Sequence, residues 1–387
     1  MKSQIIILFL LPITRLCGQG FQTGPCPETN YPELNREVIE IMQQIVNSGV
    51  PGMAAAIEVN GVLSIGSAGL AKLEDQTPMQ TCHLQYLGSI PKLYLATLIM
   101  KLYENGQIDL DVPVTRYLPE DFGIEVQGME KMTIRMLLNH TSGLPEYNYD
   151  PRYVTLLLQY PDRVFTPLEM LKFIDGKDPQ FEPGTTYRYT NANYELLSIV
   201  ADRVTGDHAR YMQKIIFAPL SLTDTYYRIQ AGYTYQNRLV NSYWDRFSNG
   251  ILENSSILLN SNTASMAGDD GIVATPIDGI KFLKGLIGGK IVSGASLSLM
   301  KEWVKDAKGN PTYGLGLDLT ELGGEMAIGH SGGGLGTGVQ LYYFPEKNTY
   351  IFLAINLATV TESPIHEKVL PLLEKLYEKV LHPQSIN

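Results

Sequence analysis

Ser89 and Lys92 stand three residues apart at the head of an apolar run, Leu93 to Tyr103. At helical spacing that stacks a primary amine above a hydroxyl on one face. A serine hydroxyl is a weak nucleophile until a neighbouring base activates it, after which it can form a covalent acyl intermediate. Ser-x-x-Lys by itself carries little weight, because Ser298 and Lys301 repeat it in the same chain. A third contender is Ser331, within Gly329-His330-Ser331-Gly332-Gly333.

Context separates the three. Gly-x-Ser-x-Gly around Ser331 matches the nucleophile elbow, which needs a strand before the serine and a helix after it. Here a glycine-rich run and then a strand follow, no aspartate comes later, and the later histidines, His366 and His382, lie in or beside the terminal helix. Ser298 falls where a helix begins after Ser293-Gly294, so the serines there read as cap and first-turn residues. Ser89 has partners. Tyr189-Thr190-Asn191 follows a Pro183-Gly184 turn and precedes a helical run, so it can offer a phenol and an amide to a Ser/Lys pair. A lysine ammonium favours the phenolate, which makes Tyr189 a candidate general base. At the end of a strand, His330 can meet a substrate carboxylate, while Ser331 and Gly332 allow close approach of a substrate backbone. A free N–H there can complete an oxyanion hole with that of Ser89.

The elements that must position these groups fall into two kinds. Leu34, Val38, Ile41, Met42 and Ile45 recur at helical spacing, and Met53–Val59 and Val62–Ala68 read as strands joined by Asn60-Gly61, a hairpin signal. Near the C-terminus Gly314–Leu319, Met326–Gly329, Val339–Phe344 and Tyr350–Asn356 read as strands, followed by a helix carrying Val369, Leu373, Leu376 and Val380, with Pro371 expected in its first turn. The middle section reads as helices between Pro- and Gly-containing loops, including Ala267-Gly268-Asp269-Asp270-Gly271. This pattern predicts an α+β fold: an antiparallel sheet of about five strands flanked by helices, built from residues near 33–106 and 291–383, with a mainly helical subdomain near 107–290 inserted. Chemistry is expected in the cleft between them.

Together, the three motifs resemble those of the penicillin-recognising serine hydrolases: class C β-lactamases, D-Ala-D-Ala carboxypeptidases, D-aminopeptidases and esterases on the same scaffold. The resemblance extends through Gly106 to Val114 and through Thr133-Ile134-Arg135-Met136-Leu137-Leu138-Asn139-His140-Thr141-Ser142-Gly143-Leu144-Pro145, and so over nearly the whole chain after its first residues. It implies a β-lactamase/transpeptidase-like fold. It implies Ser89 as acylated nucleophile, Lys92 as its activator, and Tyr189 as the base that also serves the leaving group. Asn191 binds the substrate amide and helps hold Lys92, His330 meets a carboxylate or the tyrosine, and the N–H groups of Ser89 and Gly333 form the oxyanion hole. His140 is then a buried structural histidine, and the Asn139-His140-Thr141 glycosylation pattern is covered. One departure is His330, where β-lactamases of this type usually carry lysine; histidine is commoner among peptidases and esterases, which argues against efficient antibiotic hydrolysis.

Composition narrows the classes further. A formal charge of −10 and a pI near 5.2 oppose binding to a phosphate backbone. Residues 1–20 read as an export signal: Lys2, an apolar Ile5 to Leu11, then Gly18 and Gly20. That apolar run is too short for a permanent anchor. Thr14-Arg15-Leu16 before Cys17 fits a lipobox badly, so an exported, periplasmic or secreted protein spanning 21–387 is expected rather than a lipid-anchored one. Cys26 and Cys82 then remain either as one bridge or as two thiols. The six histidines have no metal-ligand spacing, and no cofactor is expected. The expectation is an exported serine hydrolase acting on a small amide, D-amino-acid peptide or β-lactam-like substrate. The alternatives are a carboxylesterase on the same scaffold and a non-catalytic relative that binds cell-wall peptides.

Overall fold

The structure, a computed structural model, describes residue 26 and residues 30–227 and 238–383. The expected leader and Cys17 lie outside these residues. The hairpin at Asn60-Gly61 forms as its residues dictate: both take positive φ (49° and 86°), the twist that lets Val59 face Val62 across the turn. Its strands, Gly52–Val59 and Val62–Lys72, begin a nine-stranded antiparallel sheet. The order across it is Thr77–Pro78, Val62–Lys72, Gly52–Val59, Thr349–Ile355, Gly338–Phe344, Glu325–Gly333, Asp318–Leu322, Pro311–Tyr313 and Val304–Lys305. Chain ends thus meet in the middle of the sheet, where Met53 pairs with Ile355.

About five strands were expected, and nine are present among the described residues. The additional ones are short strands of two to five residues, one at one edge of the sheet and three in a row at the other side, too brief for an alternating pattern to show. Gly314–Leu319 is not a single strand. Gly314 N–H donates to Leu317 O (2.8 Å) and Gly316 takes φ 83°, so the stretch turns the chain between Pro311–Tyr313 and Asp318–Leu322.

Gly52–Val59 is covered on both faces, which is why it is apolar almost throughout. On one face lie the helices Arg36–Asn47 and Pro364–Leu381, packing Met42, Ile45, Val369 and Leu376 on Met53, Ile351 and Leu353. Pro371 sits inside the latter helix rather than in its first turn, because Ser363 caps the chain earlier by accepting the Ile365 N–H. On the other face lies Pro91–Glu104, buried nearly all round among Leu341, Phe352, Ala354 and the helices of the middle section. Pro276–Ile287, placed by sequence in the helical subdomain, packs on the sheet instead: a Cβ on Gly279 would sit 2.6 Å from the Phe352 ring. A small sheet joins the layers, with Gln85–Tyr86 pairing with Ile272–Ala274 just before Ser89. Cys26 and Cys82 form a disulfide, with Cα atoms 5.7 Å apart.

Candidate active site

Three short elements bring Ser89 to the sheet. The Gln85–Tyr86 strand fixes the approach, Gly88 turns the chain at φ 54°, and Pro91 starts the helix, where a missing N–H costs nothing. Lys92 lies in the first turn, with its Nζ 2.9 Å from Ser89 Oγ and 2.9 Å from the Asp269 carbonyl oxygen. The Asp269 carboxylate is 3.8 Å away, and both side chains are buried. Burial pushes the Lys92 amine down, and the carboxyls of Asp269, Asp270, Glu146 and Glu195 pull it partly back.

Tyr189 lies over the same amine, its ring centroid 5.1 Å from Lys92 Nζ. Burial holds its phenol well above the ordinary value, opposed by contact with the Ser89 side chain. That contact is looser than a formed hydrogen bond, since the hydroxyl has no partner of proper geometry among the described residues. Tyr189 therefore rests as a phenol rather than a phenolate. Its ring packs on His140, 4.2 Å between centroids. His140 is fully buried, is kept neutral by that burial, and accepts at Nδ1 from Asn193 Nδ2 (3.1 Å). The adjacent Asn139 is buried too, taking the Thr141 hydroxyl at 2.7 Å.

Asn191 stands at the head of the Ala192–Thr205 helix. Sequence reasoning linked it to Lys92. Here its backbone N–H and its Nδ2 both donate to Glu146 Oε2, at 2.8 and 3.2 Å, and Asp269 supplies the contacts to Lys92. The loop carrying Asp269 reaches Lys92 because Gly268 crosses the first turn of that helix. A Cβ there would lie 1.8 Å from the Tyr194 carbonyl oxygen. Glu195, fully buried beneath it, accepts the Gly268 N–H at 3.0 Å, and burial beside Asp269 raises its carboxyl well above the usual range.

The glycine-rich strand meets the nucleophile backbone to backbone. A Cβ on Gly332 would lie 2.1 Å from Leu87 O and 2.9 Å from Ser89 N, and one on Gly88 would lie 2.7 Å from Gly333 N. That approach brings the backbone nitrogens of Ser89 and Gly333 onto directly facing segments. Ser331 is exposed on the strand, with its side chain on the Tyr342 hydroxyl. His330, expected to meet a substrate carboxylate or the tyrosine, has its ring centroid 6.3 Å from that of Tyr189. Its Nδ1 lies 2.5 Å from Ser331 O, an acceptor, so Nδ1 carries the proton and Nε2 accepts from the Tyr313 hydroxyl at 2.8 Å. Burial and the nearby Lys92 ammonium push the imidazole down to about 3. It offers neither a charge nor a free nitrogen to a substrate carboxylate. Ser298 caps back onto Gly294 O at 2.9 Å, away from this site.

Sequence reasoning missed Asp269, Asp270, Glu146, Glu195 and Tyr313. The one available signal was a pair of adjacent carboxylates between glycines at 268–271, a costly arrangement in a loop unless it serves a buried cation. Two cavities meet at Ser89. The larger, about 760 Å³, runs past Asn191 and Glu146 to Tyr149, Leu157 and Val360. The smaller, about 310 Å³, follows the strand past His330. A serine bonded to a buried amine, with a phenol above them and a glycine-lined strand packed against its backbone, can perform acyl transfer.

Residues 35–371 match the family described as Beta-lactamase. Penicillin-binding protein 4* of Bacillus subtilis is 31% identical over 181 residues, 45% of this chain and 37% of that protein. A β-lactamase of Providencia stuartii is 27% identical over 215 residues, 53% of this chain and 52% of that protein. The matches thus span about a third to about half of these relatives. The crystal structure of D-amino acid amidase from Ochrobactrum anthropi SV3, complexed with L-phenylalanine, superposes with a TM-score of 0.78 at 26% identity, covering 90% of this chain and 99% of that one.

Proposed function

We propose, for a chain that belongs to the beta-lactamase family, a serine hydrolase working through an acyl-enzyme on Ser89. The 2.9 Å bond between Lys92 Nζ and Ser89 Oγ, in a site whose burial favours the neutral amine, carries the reading. Lys92 takes the Ser89 proton as Oγ adds to the substrate carbonyl carbon. The N–H groups of Ser89 and Gly333 receive the oxyanion. Tyr189, resting as the phenol, gives its proton to the leaving nitrogen or oxygen as the scissile bond breaks. The resulting phenolate beside the Lys92 ammonium then takes a proton from water, which attacks the acyl carbon. Collapse returns the Lys92 proton to Ser89 Oγ and releases the acid. This order differs from the sequence expectation in making Lys92 the first base.

The substrates we favour are small amides and D-amino-acid peptides, in keeping with the likeness to the D-amino acid amidase above. An ester is the second reading, favoured by the apolar mouth formed by Leu157, Leu158 and Val360. The Cys26–Cys82 bridge supports export, since disulfides persist in oxidising compartments. The test is turnover of a D-amino-acid amide, a D-Ala-D-Ala peptide, p-nitrophenyl acetate and nitrocefin by wild type and Ser89→Ala. Equal turnover by the two proteins overturns the proposal, and a site that binds peptides without any turnover makes the protein a cell-wall-peptide receptor.

A further inference from the structure

The smaller cavity is unlike a carboxylate site. The Asp318–Leu322 strand stops pairing with its neighbour at Gly329, so His330 to Gly333 are paired on one side only, with Leu341 to Gly338. An extended substrate can lie along that free edge. The cavity on it is bounded by Ser89, Tyr187, Tyr189, Tyr313, His330 and Asp318. Its histidine is neutral with both nitrogens engaged. The amine of Lys92 is spent on Ser89 and Asp269, and Arg188 borders the larger cavity instead. The one carboxyl lining it is that of Asp318, which burial raises while the Tyr342 hydroxyl and the Leu319 N–H favour its anion. The Tyr342 hydroxyl donates to Asp318 Oδ2 at 2.6 Å, and the same hydroxyl touches the Ser331 side chain, so this carboxyl sits beside the strand edge a substrate would use.

Resting on the acyl-enzyme reading above, we propose that Asp318 is a specificity residue of the leaving-group side. The leaving group, protonated by Tyr189, departs into this cavity. There a free carboxylate meets a like charge and no cation, whereas a carboxamide, an ester or an ammonium is accepted. The enzyme therefore takes amide-terminated or amine-bearing substrates in preference to those ending in a carboxylate. Like charges close together at a partly buried site correspond to about a tenfold discrimination or more.

The test uses a matched pair of esters with the same acyl group, one leaving as 3-hydroxybenzoate and the other as 3-hydroxybenzamide. Fluorophosphonate labelling of Ser89 is measured first; absence of labelling overturns the acyl-enzyme reading, and this inference with it. With labelling intact, wild type is expected to show a kcat/KM ratio of about ten or more in favour of the benzamide ester at pH 8. Asp318→Asn, which can keep the bond from Tyr342, brings the ratio toward one, and Asp318→Ser does the same if the first variant fails to fold. A wild-type ratio near one, or a preference for the carboxylate, overturns the assignment and leaves the acyl-enzyme reading standing. So does an unchanged ratio in a folded Asp318 variant.

Discussion

Gly332→Ala is the most local way to separate the nucleophile from the strand that faces it. The new methyl would start 2.1 Å from Leu87 O, 2.7 Å from Val339 Cγ1 and 2.9 Å from Ser89 N. A carbon approaches a carbonyl oxygen no closer than about 3.3 Å, so strand and turn must part by about 1 Å. Both obstructing atoms on the Ser89 side are backbone, so no side chain can swing away. Overpacking of this kind costs about 1–3 kcal/mol of stability. The larger effect falls on rate, because the two N–H groups are then misplaced by about 1 Å, and misplacement on that scale costs about a hundredfold. We expect kcat/KM on an activated ester to fall by about 10²-fold, about 2.7 kcal/mol of transition-state stabilisation. The thermal midpoint should confirm a folded protein. Gly294→Ala is the control, since nothing lies within 4 Å of its added Cβ and its φ is ordinary. A folded Gly332→Ala that keeps wild-type turnover would refute the shared oxyanion site.

Asp269→Asn removes a carboxylate that holds the Lys92 ammonium, leaving the backbone carbonyl contact in place; the acid limb of kcat/KM should move to lower pH, and a limb that stays or rises speaks against Lys92 as the first base. The neutral His330 makes stability pH-dependent. A base whose folded pKa is depressed contributes fully above its unfolded value, about 6.5, and loses that contribution as pH falls toward about 3. Between pH 8 and pH 5 wild type should lose about 2 kcal/mol more than His330→Asn in urea melts, and equal losses would contradict the buried neutral imidazole. Cys82→Ser frees a loop closed over a 56-residue separation, so a stability loss of about 2–4 kcal/mol is expected, read as a lowered midpoint that reducing agent reproduces in wild type.

Much of the scaffold was legible because its signals are local. Asn60-Gly61 specified its hairpin, and the spacing of Val38, Ile41, Met42 and Ile45 specified its helix. The nucleophile motif was readable because serine and lysine lie within one turn. What stayed hidden depends on long-range contact. Asp269 meets Lys92 across 177 positions, Glu195 meets the same loop across 73, and Asp318 reaches Tyr342 over a glycine on the strand between them. The state of His330 was unreadable for the same reason. Only the fold shows that Tyr313 occupies its second nitrogen and that burial strips its charge. Pro371 misled because the helix start was sought near the proline, whereas Ser363 caps it upstream.

The most direct test is peptide-level mass spectrometry of the enzyme quenched with a fluorophosphonate or a slow penicillin. A covalent adduct on the peptide containing Ser89, absent in Ser89→Ala and strongly slowed in Lys92→Ala, is the predicted result. An adduct on another serine, or equal labelling of Ser89→Ala, would contradict the account.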